Sequence, residues 1–364
     1  MVIEKESPEE YGYGRIRHNL SESSIRDRRI SDIGAPLPDL TLFYGEHRGE
    51  VRLRELIASQ AEGLNAGDVL VTAGAAGALF IIATTLLAPG DHLVVIRPNY
   101  ATNIETPKAI GCDITYIDLA FENDFALDTQ AIAAAMRPNT RLVSITCPHN
   151  PTGTLIGRDQ LSALIKLIED VGCRLLVDET YRDLSYGRQL PIAASLSTSA
   201  ISVCSLSKAY GIPGIRVGWI IARDSELVER FLAAKEQIGI CGSVVDEWLA
   251  MAALEERESF LAELAPLMQA RRAIVRNWVD QDPLIEWVEP QGGVVCFPRL
   301  KVSKNFNFES FYARLLDDHG TYVGPGHWFE MPKSFFRIGF LWPLEDELKG
   351  GLVAISAAIR ETTT

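Results

Sequence analysis

Five apolar runs of strand length constrain this chain more than any other feature: His92 to Ile96, Leu142 to Thr146, Arg174 to Val177, Ile201 to Cys204 and Val217 to Ile221. Each is apolar on successive residues, several of them β-branched, so both faces of each strand must be covered. Helical stretches such as residues 158 to 170 separate them. Strands buried on both sides and divided by helices specify an α/β layer domain built on a parallel sheet. A further short strand, Asp68 to Thr72, enters a glycine-rich turn at Gly74, and Ala78 to Leu87 forms the helix beyond it. In such sheets the loops at the carboxyl ends of the strands converge on the ligand. Ala75, Ala76, Tyr100, Asn150, Asp178 and the stretch from Ser205 to Lys208 all follow strands.

The 364 residues, 47% of them hydrophobic, can bury a large core divided into two domains or one elaborated domain. A net charge of -13, with 35 basic against 48 acidic residues and no basic run, makes nucleic acid and anionic membrane poor partners. Residues 73 to 88 carry no charge but are few, contain glycine and precede Pro89-Gly90, so a core helix is expected and no membrane span. The six cysteines are widely spaced without Cys-x-x-Cys, which fits reduced thiols in a reducing compartment, and no metal site is expected. Met1 to Glu10 is charged and holds no apolar signal core, so the expected location is cytoplasmic. There is no internal repeat, low-complexity tract or Gly/Ser/Pro linker.

The chemistry concentrates in Ser205-Leu206-Ser207-Lys208-Ala209-Tyr210-Gly211-Ile212-Pro213-Gly214-Ile215-Arg216. A lysine amine can condense with a carbonyl cofactor to give a Schiff base, and desolvation frees it of its proton nearer neutral pH. Ser205, Ser207 and Arg216 suit a phosphate dianion. Gly74-Ala75-Ala76-Gly77, opening a helix, adds backbone N–H groups at its positive end. Arg337, between apolar neighbours in Phe335-Phe336-Arg337-Ile338-Gly339-Phe340, would be costly to bury unless paired, and a bound carboxylate is a suitable partner. Gly-x-Gly-x-x-Gly, which a dinucleotide-binding fold would want after its first strand, is not met by Gly74 to Gly77.

Upstream lie Cys147-Pro148-His149-Asn150-Pro151-Thr152-Gly153 and Val177-Asp178-Glu179-Thr180-Tyr181, each closing an apolar run. The order Asn150, Asp178, Tyr181, Lys208, Arg216 resembles the fold-type I pyridoxal phosphate (PLP) enzymes, most closely the class I/II aminotransferases. The resemblance implies an aspartate aminotransferase-like fold: a large domain with a mixed, mostly parallel sheet flanked by helices, plus a smaller α+β domain. It divides the chain into an arm over 1–40 associated with the small domain, a large PLP-binding domain over 41–260 and a small domain over 261–364. The arm is expected to be extended, and one or two helices should lie between Ser225 and Arg276. It further implies pyridoxal 5'-phosphate as cofactor, with Asp178 at the ring nitrogen, Asn150 and Tyr181 at the phenolic oxygen and Tyr100 stacked on the ring.

Ala75 and Ala76 join the phosphate site. A hydroxyl common in relatives is missing at Ala76, so that site leans on Ser205, Arg216 and Tyr44. Tyr44, in a tyrosine-glycine segment, would reach the phosphate of a neighbouring subunit, making a homodimer with shared active sites. Arg337 would hold the substrate's carboxylate, and His327, in the loop before it, would line the substrate side. The implied activity is transfer of an amino group from an L-amino acid to a 2-oxo acid through a Lys208 Schiff base and pyridoxamine phosphate. The rival readings are a carbon–sulfur lyase, a decarboxylase of the same fold, or a non-catalytic PLP-binding protein. The resemblance places a second arginine for a distal carboxylate in many dicarboxylate transaminases, and none stands near Gly239 to Ser243. An apolar, aromatic or specialised donor is therefore expected over aspartate, unless Arg15, Arg17 or Arg48 reaches in from the arm or a partner subunit.

Overall fold

The computed structural model describes residues 6–34, 36–187 and 189–363; Met1 to Lys5, part of the charged start read above, lies outside them. A seven-stranded sheet forms the centre. Its strands are Val69–Ala73 (β1), His92–Arg97 (β2), Asp113–Asp118 (β3), Thr140–Thr146 (β4), Arg174–Asp178 (β5), Ala200–Ser205 (β6) and Val217–Ala222 (β7), in the spatial order β1-β7-β6-β5-β4-β2-β3. Neighbours run parallel except at β7, which is antiparallel to both β6 and β1. The sheet is therefore mixed and mostly parallel, as the resemblance implies. The reversal returns the chain after Lys208, so the end of β6 and the start of β7 lie at one edge of the same cleft.

The uninterrupted apolar runs are explained by burial on both faces. Along β2, Leu93 and Val95 pack into one core with Leu176, Ile201 and Ile220, while Val94 and Ile96 pack into another with Val143, Ile145 and Val177. Each such side chain, fully buried, contributes roughly 1.5–3 kcal/mol, and the buried polar residues among them, such as Ser144 and Ser202, are hydrogen-bonded. Helix Gly74–Leu86 (α1) covers the first face, and Arg158–Val171 covers the second with Leu161, Leu164, Ile165 and Ile168. β3 is absent from the apolar runs because it is the edge strand, with exposed Asp113 and Asp118 at its ends.

Three helices, Ser225–Gly239, Val244–Glu255 and Arg257–Gln281, occupy the region where one or two were expected. The first break falls at Ile240 to Gly242, after which Ser243 caps the next helix by accepting from Asp246 N at 3.3 Å. Beyond them, Phe336–Gly339 (β8) pairs antiparallel with Val295–Cys296 and with Gly324–Pro325. Phe297 stacks on Phe335 with ring centroids 5.3 Å apart, and both pack with Phe125 of the sheet side. This aromatic contact fixes β8 against the sheet and places Arg337.

The N-terminal segment is more ordered than an extended arm. It forms the helix Pro8–Tyr11 and the strand His18–Asn19, which pairs in parallel with Thr321–Tyr322. It then crosses the Lys208 loop, where Ile25 N donates to Lys208 O at 3.1 Å and Arg28 N to Gly211 O at 2.7 Å. Gly339 permits the crossing over β8: a Cβ there would lie 1.6 Å from Glu22 O. Among the described residues, no helix is long and apolar enough to cross a membrane.

Candidate active site

The carboxyl ends of β4, β5 and β6 deliver Asn150, Asp178 and Lys208 to one cleft, closed by the arm and β8. Lys208 follows β6 by three residues and its Nζ donates to Ser23 Oγ at 2.9 Å. Burial, together with the nearby Arg337 guanidinium, holds the amine below the usual lysine range; Glu22 and Glu9 act in the opposite sense. A lysine so placed spends more time neutral, as a base or nucleophile requires.

Asp178 ends β5 and is buried beside Thr146 and Val203. Its Oδ1 accepts from Thr180 N at 3.1 Å and Thr180 Oγ1 at 2.6 Å, and Asn103 adds a side-chain hydrogen bond. Asn103 is itself fixed by Asn99 Oδ1 at 3.2 Å and Ser144 Oγ at 3.3 Å. Burial outweighs these donors and raises the carboxyl above its ordinary pKa. No cation pairs with it among the described residues.

Tyr181 is 3% exposed, and burial pushes its hydroxyl up to about 12, so the proton stays on oxygen. That hydroxyl faces Ser23 yet completes no hydrogen bond of normal geometry. Arg337 is buried on β8, where Nη1 donates to Asn150 Oδ1 at 3.1 Å and Nη2 to Ser21 O at 2.6 Å. Its guanidinium lies 5.1 Å from the centroid of Phe329. Tyr100, on the loop after β2, is within electrostatic reach of Tyr181 and is 42% exposed, leaving a ring face open.

Arg216 opens β7 in the left-handed region, φ +48, a conformation that costs a non-glycine residue about 1–3 kcal/mol. The strain lays its guanidinium against the start of α1. Gly74 has φ +70, and a Cβ there would lie 2.4 Å from Arg216 Nη2. Ala75 and Ala76 follow in the first turn, and Ser205 Oγ, at the end of β6, accepts from Ser207 N at 3.4 Å. A cation against the positive end of a 13-residue helix is unfavourable unless an anion sits between them.

Of the residues singled out from sequence, Lys208, Asp178, Tyr181, Asn150, Tyr100, Arg216 and Arg337 share one electrostatic neighbourhood. Two stand apart. Tyr44 is 78% exposed beside exposed Leu42 and Phe43, and His327 Nε2 pairs with Glu6 Oε2 at 2.5 Å. Sequence reasoning missed Ser21, Glu22, Ser23, Asn103 and Thr180. Thr180 stands two residues after Asp178 in an Asx-type turn, and Asn103 one helical turn after Asn99, so both had a local signal. The arm residues had none, since they reach the cleft through pairings with the far end of the chain.

These groups fit pyridoxal 5'-phosphate. A buried carboxylate without a cation suits a protonated ring nitrogen, a buried phenol without a partner suits the phenolic oxygen, and Arg216 with the α1 terminus suits a phosphate.

Glu179, next to Asp178, supports the wall behind the site. Its Oε1 accepts from Ala193 N at 2.7 Å and Ser202 Oγ at 2.8 Å, and burial raises its pKa to about 7. Because the folded pKa lies above the ordinary one, its stabilising contribution is full below about pH 4.5 and is lost as pH rises through about 7. Between pH 5 and 8 the wild type should lose about 3 kcal/mol from this group, and Glu179→Gln should not. Urea unfolding of both proteins at the two pH values checks this; parallel losses would refute it.

The Aminotransferase class I and II family matches residues 37–347. Capreomycidine synthase of Streptomyces vinaceus is 30% identical over 343 residues, covering 93% of this chain and 87% of that protein. Arginine–pyruvate transaminase of Pseudomonas aeruginosa is 30% identical over 79% of this chain and 74% of its own length. Among solved structures, a PLP-dependent aminotransferase from Streptococcus suis superposes with a TM-score of 0.90 at 26% identity, covering 97% of this chain and 96% of that one. A PLP-dependent cyclase superposes with a TM-score of 0.88 at 26% identity, covering 99% of both chains.

Proposed function

Since this chain belongs to the class I and II aminotransferases, a family of PLP-dependent enzymes, we propose that it moves the amino group of an L-amino acid to a 2-oxo acid at the Lys208 site. The observation that carries this reading is the convergence of the desolvated Lys208 amine, the buried Asp178 carboxylate and the buried Arg337 guanidinium. When bound, pyridoxal 5'-phosphate supplies an electron sink for charge released at the substrate's α-carbon.

The residues divide the work. Arg216, Ser205, Ser207 and the first turn of α1, with Ala75 and Ala76, hold the phosphate. Asp178, kept in place by Thr180 and Asn103, holds a proton at the ring nitrogen. Tyr181 donates to the phenolic oxygen. Asn150 does the same through its Nδ2, because its Oδ1 is already engaged by Arg337. Tyr100, with part of its side chain open, would pack against the cofactor ring when it is bound. Arg337 orients the substrate through its α-carboxylate, and Lys208 Nζ takes the α-proton and returns it one atom away. His327 would reach the substrate side from the loop before β8 only if its pairing with Glu6 opened.

The division into arm, large domain and small domain given above is part of this reading. So is a homodimer in which Tyr44 completes the partner's phosphate site, supported by three consecutive exposed apolar side chains, Leu42 to Tyr44. A cytoplasmic location is supported by six cysteines that are all free.

A half-reaction tests the activity. Cofactor-loaded enzyme given an amino acid alone should release about one 2-oxo acid per site, and turn over only when a second 2-oxo acid is added. A second reading, cyclisation or elimination at the same residues, is favoured by the likeness to capreomycidine synthase and the cyclase. Continuous turnover without an acceptor, with release of ammonia or a ring-closed product, would select it and exclude transfer.

A further inference from the structure

We propose that the cavity on the arm side of Lys208 receives a cationic distal group, so that the amino donor is a basic amino acid with Glu22 and Glu9 as its counter-charges. This inference rests on the aminotransfer reading and adds the substrate class.

The cavity measures about 440 Å³, within the range of small-molecule sites, and Lys208, Glu22, Glu9, Tyr13 and Asp27 help to line it. Tyr13 OH lies 3.3 Å from Glu9 Oε1 and 3.3 Å from Glu22 Oε1. A phenol has one proton, so it can satisfy one carboxylate and leaves the other facing it. No lysine or arginine lies within ion-pair distance of Glu9 or Glu22 among the described residues. Of the cations around it, the Arg28 guanidinium sits 3.5 Å over the Phe260 ring and Lys208 Nζ is held by Ser23, while Arg29, which also lines the cavity, is exposed. Asp27 accepts from Trp342 Nε1 at 2.9 Å. Glu22, partly desolvated, and the exposed Glu9 share this one donor, an arrangement that a cation between them would relieve.

Position ties the pair to the chemistry. Three consecutive arm residues do three things: Ser21 O accepts from Arg337, Ser23 Oγ accepts from Lys208, and Glu22 between them faces the cavity. An amino acid with its carboxylate at Arg337 and its α-carbon at Lys208 runs its side chain past Glu22. The cavity is continuous with the catalytic loop, since Lys208 and Gly211 to Ile215 line it together with Glu22. A guanidinium or ammonium group would give both carboxylates the charge-assisted donors they lack.

The test compares donors of one shape and different charge on cofactor-loaded enzyme. L-arginine should exceed its neutral isostere L-citrulline in kcat/KM by about 10- to 100-fold, and L-lysine should likewise exceed L-norleucine. Glu22→Gln should bring the arginine-to-citrulline ratio down by about 10-fold or more, and Glu9→Gln, on an exposed side chain, should lower it in the same direction. A wild-type ratio near one, or a ratio unchanged in both variants, overturns the proposal. If citrulline and norleucine are converted but arginine is not, the proposal fails while aminotransfer stands. If no donor releases a 2-oxo acid, aminotransfer fails, and calorimetric titration decides the substrate class. Arginine binding at least about 10-fold tighter than citrulline upholds the proposal; equal or weaker binding sinks it.

Discussion

Lys208→Ala is expected to yield a folded protein that takes up pyridoxal 5'-phosphate and turns over at least about 10³-fold more slowly than wild type, by the usual worth of a positioned general base and nucleophile. Folding should survive because the side chain makes a single hydrogen bond, to Ser23 Oγ, whereas the contact that pins the arm uses the main-chain Lys208 O. Cofactor uptake should survive because the phosphate groups, Arg216 and the start of α1, are untouched. Single-turnover release of 2-oxo acid, with circular dichroism as the control for fold, measures the effect. Activity within about tenfold of wild type would remove Lys208 from the mechanism.

Arg337→Leu should lower kcat/KM for amino acids by about 10² or more, equivalent to the roughly 3 kcal/mol that breaking a buried charge-assisted pair costs. Arg337→Lys should fall between, since an ammonium keeps the charge but loses the fork that reaches a carboxylate, Asn150 Oδ1 and Ser21 O from one plane. The control is a primary amine with the same side chain and no carboxylate. If its slow turnover drops as far as that of the amino acid, Arg337 serves the fold rather than the substrate.

The sheet was legible because five strands are apolar on consecutive residues, and only two-sided burial makes that pattern stable. The edge strand β3 escaped for the complementary reason: one exposed side dilutes its pattern with Asp113 and Asp118. Asp178, Asn150 and Lys208 could be read as site residues because each follows an apolar run at a strand end, where side chains converge. Ser23 and Glu22 could not. Nothing local in Ser21-Glu22-Ser23-Ser24 distinguishes a cleft wall from a polar loop, and their placement depends on Gly339 and Gly211 leaving room for the arm backbone. His327 was read from its loop, but its ring is engaged by Glu6, a pairing no short-range pattern encodes.

The bond from Arg337 to Ser21 spans 316 positions, and that from Lys208 to Ser23 spans 185. Closing rings of that length carries an entropic penalty that contacts within one hairpin or helix do not, so both are long-range contacts. Competence for chemistry thus depends on residues that lie far apart along the chain. A sheet with every central strand in register still needs the arm to bring Ser21 to Arg337 and Ser23 to Lys208.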